Sequence, residues 1–389
     1  MMTFNTKYED VVIYAKTVEQ EAISQVLQMA NSPLGEHAHI RIMPDCHAGA
    51  GCVIGTTMLI TDKVCPNLVG VDIGCGVDLV QTDIVNIHER LDELDSVIRT
   101  YVPFGMDTHE EEQPWDFTQL RCWEYLPKDA KLRASTALGT LGGGNHFIEA
   151  YAGGWIAVHS GSRNIGYKVA QYYQDRAEKA IAKYNHEVLM QQMQEVEPRL
   201  RQQWLSEHKI TVQKDLCYLT GQDMEDYLHD VAIMQKFAND NRAAMLKAIV
   251  HNMGGKIIQH ISSIHNYIDV EHMTLRKGAI SAQLDETLVI PLNMRDGMLV
   301  CRGKGNPEWN YSAPHGAGRL YSRSEAKEAF TVEEYAAEME GIYSSCINES
   351  TLDEAPFVYK DYTEIMECVQ PTVEILTRLK PIFNFKANA

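Results

Sequence analysis

No run of apolar residues in this chain approaches the roughly 20 needed to cross a bilayer as a helix. The opening stretch, MMTFNTKYEDVVIYAK, lacks the charged-then-apolar pattern of a secretory leader. Basic residues are scarce: 35 Lys and Arg stand against 53 Asp and Glu, a formal net charge of −18. That deficit argues against a broad basic face of the kind nucleic-acid binders carry. It leaves room for a small positive cleft inside an acidic shell, above all one holding divalent metal. The nine cysteines are odd in number and irregularly spaced, so they do not read as a disulfide framework. A soluble protein in a reducing compartment, the cytoplasm, is expected. No fixed-period repeat, low-complexity tract or Ser/Gly linker divides the 389 residues. With apolar residues at 45%, the expectation is one large α+β domain over 1–389, with a helical segment inside it at 166–253.

The elements follow from periodicity. TVEQEAISQVLQMANSP (Thr17 to Pro33) predicts a helix with a Thr cap, early glutamates and apolar residues at helical spacing. HIRIMPD, CVIGTTMLIT and VDIGCGVDLVQTDI read as strands, the last one broken. IGYKVAQYYQDRAEKAIAKYN and MEDYLHDVAIMQKFANDNRAAMLKAIVHNM predict long helices, joined by a less regular stretch from Glu195 to Cys217. Met224, Met234 and Met245 are expected to fill the core. AISA, TLVIPLN and GMLVCRG predict short strands with tight turns, and SEAKEAFTVEEYAAEMEG a helix capped by Ser324.

Five segments place glycine beside residue types that bind metal. They are MPDCHAGAGC, VGVDIGCG, GTLGGGNHFIE, VHSGSRNIG and PHGAGR, and SSIHNYID adds a His-Asn pair without glycine. Glycine lets a main chain turn close to a ligand. Asp72, Cys75 and the histidines offer oxygen, sulfur and nitrogen donors, a set that suits zinc, iron, manganese or cobalt. A thiolate can bridge two cations, and a carboxylate beside it helps neutralise them. Each piece has a plainer alternative. Asp72 would close an Asx turn, and Cys75 would be a small buried hydrophobe. His146, His159 and His265 would be core or strand-end histidines, and their wide spacing fits no zinc-finger pattern. Their joint occurrence beside glycine turns favours a site.

His315 stands in a glycine loop, HGAGR, with Arg319 four residues on. A neutral imidazole can attack phosphorus. Arginine forks phosphate oxygens, and glycine amides add donors. NMRDG and CRGKGNP supply further turns and cations nearby.

VGVDIGCG, GTLGGGNHFIE, HSGSRNIG, the HN of SIHNYID and HGAGR followed by SRS resemble, in that order, the motifs of the RtcB RNA-splicing ligase family. The resemblance runs from about Asp45 to Lys386. It implies a single RtcB-type catalytic domain. It implies a ligase that uses GTP and two Mn2+ ions to join RNA 2',3'-cyclic phosphate or 3'-phosphate ends to 5'-hydroxyl ends, in RNA repair or tRNA splicing, with a helper protein in some settings. By that resemblance Asp72, Cys75, His146, His159 and His265 would hold metal, with Cys75 bridging. His315 would take GMP from GTP. Asn145, Glu149, the Gly316, Ala317 and Gly318 turn and Lys386 would face the nucleotide. Arg163 and Arg319 would grip RNA phosphate, and Asp45, the acid of MPDCHAG, is grouped with them. NMRDG and NYSAPHGAGR depart from the family's usual glycine- and serine-rich stretch and its cysteine close before the histidine.

Two other readings fit the same residues. A metal-dependent phosphohydrolase would use the donors without needing His315. An RNA-end binding protein would hold phosphate-ended RNA without joining it.

Overall fold

The computed structural model describes residues 1–49 and 51–387. Its architecture is α+β. An antiparallel five-stranded sheet runs in the order Ile257–Ile264, Gly76–Thr82, Trp155–Ser160, Phe147–Tyr151 and Pro381–Lys386. A six-stranded mixed sheet runs Met2–Phe4, Val11–Ile13, Arg41–His47, Ile54–Leu59, Thr274–Lys277 and Asn266–Asp269. A three-stranded sheet pairs Thr287–Asn293, Gly297–Gly303 and Val373–Leu379. A short ladder sets Ala279–Ser281 against Ser312–Pro314. Gly76–Thr82 is buried along almost its whole length, as a central strand covered on both faces is.

Two long helices cover the sheets. Arg163–Lys183 continues through a π-turn at Tyr184–Val188 into Leu189–Gln194. Gly221–Asn252 spans 32 residues and buries Met224, Tyr227, Val231, Met234, Phe237, Ala238, Met245 and Ile249 at helical spacing. The stretch between them holds a helix of its own, Arg201–His208, because its Gln-rich sequence is a fair helix former without glycine.

Several local expectations are revised. The first helix spans Gln20–Ala30, and no side chain caps it. SEAKEAFTVEEYAAEMEG splits at Phe330 into Arg323–Ala329 and Val332–Glu338. Its cap is Ser322, not Ser324: Ser322 and Glu325 form a capping box, and Thr331 and Glu334 form a second one that starts the next helix. Within VDIGCGVDLVQTDI only Gly76–Thr82 is strand, and Val71 to Cys75 turn ahead of it. All nine cysteines are free, and eight are buried. Among the described residues no helix is long and apolar enough to cross a membrane.

Candidate metal and nucleotide site

Strand register gathers the donors. Gly76 pairs with Ser160 on one side and Ile264 on the other, and Phe147 pairs with His159. Cys75, His159, His265 and His146 therefore all fall at one end of the five-stranded sheet. Lys386 ends the edge strand beside Phe147 at that same end. Asp72 joins them from the turn, where Cys75 N bonds to its carbonyl at 3.1 Å. Gly161 is needed here: a Cβ on it would lie 2.2 Å from the Asp72 carboxylate. Gly74, at φ +74°, packs so tightly on the long helix that a Cβ would lie 2.9 Å from Ala238.

Two overlapping groups result. Cys75, His159 and His265 form one, and Asp72, Cys75 and His146 the other, with donor atoms in each within 4.8 Å of one another. Cys75 Sγ lies 3.3 Å from His159 Nε2 and 3.6 Å from His146 Nε2. His159 Nε2 faces His265 Nε2 at 3.3 Å, and His146 Nε2 lies 3.1 Å from Asp72 Oδ2. The far ring nitrogens are engaged. His146 Nδ1 meets the Leu141 carbonyl at 2.7 Å and His159 Nδ1 the Asn145 carbonyl at 3.1 Å. A carbonyl only accepts, so Nδ1 carries the proton and Nε2 presents a lone pair inward.

The electrostatics suit a cation. Burial pushes His159 and His265 well down, so both rings stay neutral at physiological pH. Burial opposes ionisation of Asp72, yet the contact with His146 and the nearby Arg163 charge hold it at about 2. Burial and the Asp72 charge push the Cys75 thiol well up. A shared thiolate facing imidazole lone pairs and a carboxylate is therefore stable only with positive charge between them. The donor set fits one divalent ion in each group, with Cys75 common to both.

His315 adjoins this cluster. Its ring centroid is 4.8 Å from that of His265. The pairing of Ala279 with Pro314 delivers it to the wall beside Gly278. Its Nδ1 lies 2.6 Å from Asp45 Oδ2, in contact but off the line of a hydrogen bond. A carboxylate this close favours the proton on Nδ1, which would leave the lone pair on Nε2. Asp45 is 0% exposed and accepts from the amides of His315 and Gly316 at 3.1 and 3.2 Å. Asp45 is thus a buried carboxylate beneath the histidine loop, in contact with the imidazole.

A cavity of about 330 Å³ opens over these groups. Asp72, Cys75, Asn145, Glu149, His159, His265, His315, Gly316, Ala317, Gly318, Arg319 and Lys386 all line it. His146 instead lines a second cavity of about 490 Å³ with Asp72 and Arg163. Arg163 opens its helix in the left-handed region, φ 59°, a strain tolerated where the surrounding contacts hold it. Its guanidinium bonds to Thr140 Oγ1 and the Gly105 carbonyl. Arg319 is held by Glu354 Oε1 at 3.1 Å and the Asp353 carbonyl at 2.6 Å. Lys386 also bonds to Glu354, at 3.0 Å. Burial opposes ionisation of Glu354, but Lys386 and Arg319 keep it at about 2.

Asn241 and Arg242 escaped the reading of the sequence. Both are fully buried in the long helix. Arg242 NH1 donates to the Gly74 carbonyl at 2.8 Å and to Ser160 O at 3.0 Å, while its Nε meets Asp78 at 2.8 Å. Asn241 accepts from the Gly139 and Thr140 amides and donates to the Thr140 and Gly161 carbonyls. Two adjacent side chains thus pin the Asp72–Cys75 turn, the end of the His159 strand and the loop leading to His146. The signal was present: 241 and 242 fall on the apolar stripe of 234, 237, 238, 245, 246 and 249. Polar residues on a buried stripe have buried partners.

A family model described as tRNA-splicing ligase RtcB matches residues 25–123 and 119–387. The chain is 32% identical over 408 residues to the RNA-splicing ligase RtcB of Escherichia coli strain K12, covering 94% of each chain. It is 26% identical over 479 residues to the tRNA-splicing ligase RtcB of Aeropyrum pernix, covering 95% of this chain and 94% of the relative. It is 26% identical over 408 residues to RNA-splicing ligase RtcB2 of another E. coli strain, at 95% and 93% coverage.

Proposed function

Because the chain belongs to the RtcB family of RNA-splicing ligases, we propose that it joins RNA 3'-phosphate or 2',3'-cyclic phosphate ends to 5'-hydroxyl ends, using GTP, in the cytoplasm. The observation that carries the reading is the placement of His315 beside the donor cluster, its ring 4.8 Å from that of His265. Two Mn2+ ions would be held by Asp72, Cys75 and His146 and by Cys75, His159 and His265, and when bound they supply positive charge that offsets phosphate charge.

Asp45 keeps the proton on Nδ1 of His315, and Nε2 attacks the α-phosphorus of GTP. An N–P bond forms, and pyrophosphate leaves. Asn145, Glu149, Lys386 and the Gly316 to Gly318 turn position the guanylate. Water opens a cyclic RNA end to a 3'-phosphate, freeing the 2'-hydroxyl; a 3'-phosphate oxygen then takes GMP as the His315 N–P bond breaks. The 5'-hydroxyl of the second RNA then attacks that activated phosphate, and GMP departs. Arg163 and Arg319 steady RNA phosphate. Positioning and fixed charge carry the rate, as in other phosphoryl transfers. The reading covers RNA repair and tRNA splicing alike, with or without a helper protein.

Mixing the protein with Mn2+ and α-labelled GTP is expected to place label on protein, and His315→Ala to abolish it. An unlabelled wild type, or a His315→Ala variant labelled as fully, would count against this mechanism. Phosphate release from RNA ends that survives His315→Ala and vanishes in Cys75→Ala would instead mark a phosphohydrolase.

A further inference from the structure

Beside the cavity, a buried lysine and a buried cysteine approach more closely than a nitrogen–sulfur hydrogen bond requires. Lys277 Nζ is 2.7 Å from Cys52 Sγ. Elsewhere among the described residues, cysteine sulfur keeps its polar neighbours farther off. The distances are 3.3 and 3.6 Å at Cys75, 3.4 Å from Cys65 to the Asp215 carbonyl, and 3.4 Å from Cys52 itself to the Asn67 carbonyl. Around Cys217 and Cys346 they lengthen to between 3.7 and 4.0 Å.

The lysine is unusual in a second respect. Lys277 is 6% exposed and Cys52 1% exposed. Besides the sulfur, the partner described for Nζ is the Asn67 carbonyl at 3.1 Å. Both contacts described for Nζ are to uncharged groups, a thiol and a carbonyl. An ammonium buried without an anion is costly, and a covalent link that makes the nitrogen neutral removes the cost. The separation is also too long for a direct sulfur–nitrogen bond, and it suits one intervening atom.

We propose that Cys52 and Lys277 are a modification site, joined through a single oxygen atom as an S–O–N bridge made with dioxygen. The thiol loses its hydrogen, and the neutral amine loses one of its own. The O–O bond breaks. One oxygen forms bonds to sulfur and nitrogen, and the other leaves as water with the two hydrogens. Sulfur and nitrogen are each oxidised by two electrons, and dioxygen takes up all four. An excess of small-molecule dithiol reverses the reaction, returning thiol, amine and water. Dioxygen is small and apolar, so burial that excludes bulky reagents admits it.

The bridge ties the loop ahead of the Ile54–Leu59 strand to the end of the Thr274–Lys277 strand. Lys277 leads directly into Gly278 of the cavity wall. Its Cε stands 3.8 Å from where a Gly70 side chain would begin, two residues before Asp72.

Intact-mass spectrometry of the full-length protein tests this. Protein purified in air is expected to weigh one oxygen more and two hydrogens less than protein prepared without air and with dithiothreitol. The gain should disappear on reduction of the denatured protein, and a peptide map should link the Cys52 and Lys277 peptides. An aerobic protein at its unmodified mass overturns the proposal. So does a whole-oxygen gain with no hydrogen lost, which marks a simple sulfenic acid, or a link mapped to any other pair. Cys52→Ser should abolish the gain; if that variant does not fold, the anaerobic wild type serves as the unbridged control.

Discussion

Glu149 shows how one side chain sets a pH dependence. Burial pushes its carboxyl up to about 7, and bonds from Tyr151 and Asn384 with the Lys386 charge offset only part of the effect. The folded state thus holds this proton more tightly than the unfolded chain, whose carboxyl titrates near 4.5. Its contribution to stability is whole below that value and is lost as pH rises towards 7. Glu149→Gln removes the loss, so the variant should gain up to roughly 3 kcal/mol over wild type at pH 8 and little at pH 4. Urea unfolding at the two pH values checks this, and parallel curves would refute it. At this scale the sequence was partly legible. Asp72, Cys75 and the histidines announce donor chemistry by type and by their glycine neighbours. Asp45 did not, because its partner His315 lies 270 residues away and nothing local names it.

The helices give two tests at the scale of elements. Ser322→Ala removes a capping box and should cost about 1 kcal/mol, whereas Ser324→Ala, within the helix, should change melting little; equal effects would contradict the assignment. The expected Ser324 cap failed because SRS offers two serines two residues apart, and only the one three residues before Glu325 can form a box. Asn241→Asp keeps shape but loses the amide that donates to the Thr140 and Gly161 carbonyls. Mn2+ affinity, measured by paramagnetic resonance titration, should fall roughly 10- to 100-fold. Unchanged affinity in a folded variant would show that the helix does not aim the donors. Helical spacing made the long helix legible. The pull of its two polar residues on three distant segments depends on packing, which periodicity does not encode.

For the molecule as a whole, the acidic balance makes RNA attraction local. Wild-type affinity for a phosphate-ended RNA should fall with salt, and Arg163→Ala should flatten the slope of log K against log salt by about one phosphate contact, near 0.7. An unchanged slope would remove Arg163 from the RNA path. The α+β class was legible from mixed periodicities. The meeting of strand ends was not, since it follows from register such as Gly76 against both Ser160 and Ile264.

The grip of Asn241 and Arg242 also sets a schedule. A ribosome that has made the first 200 residues has released Asp72, Cys75, His146 and His159 without the helix that aims them or the His265 that completes the set. Domains fold as the chain emerges, but here the early donor residues wait for a later one. On the proposed ligand set, metal capture would belong to the finished polypeptide, because a chain stalled halfway lacks both His265 and the helix that aims the earlier donors.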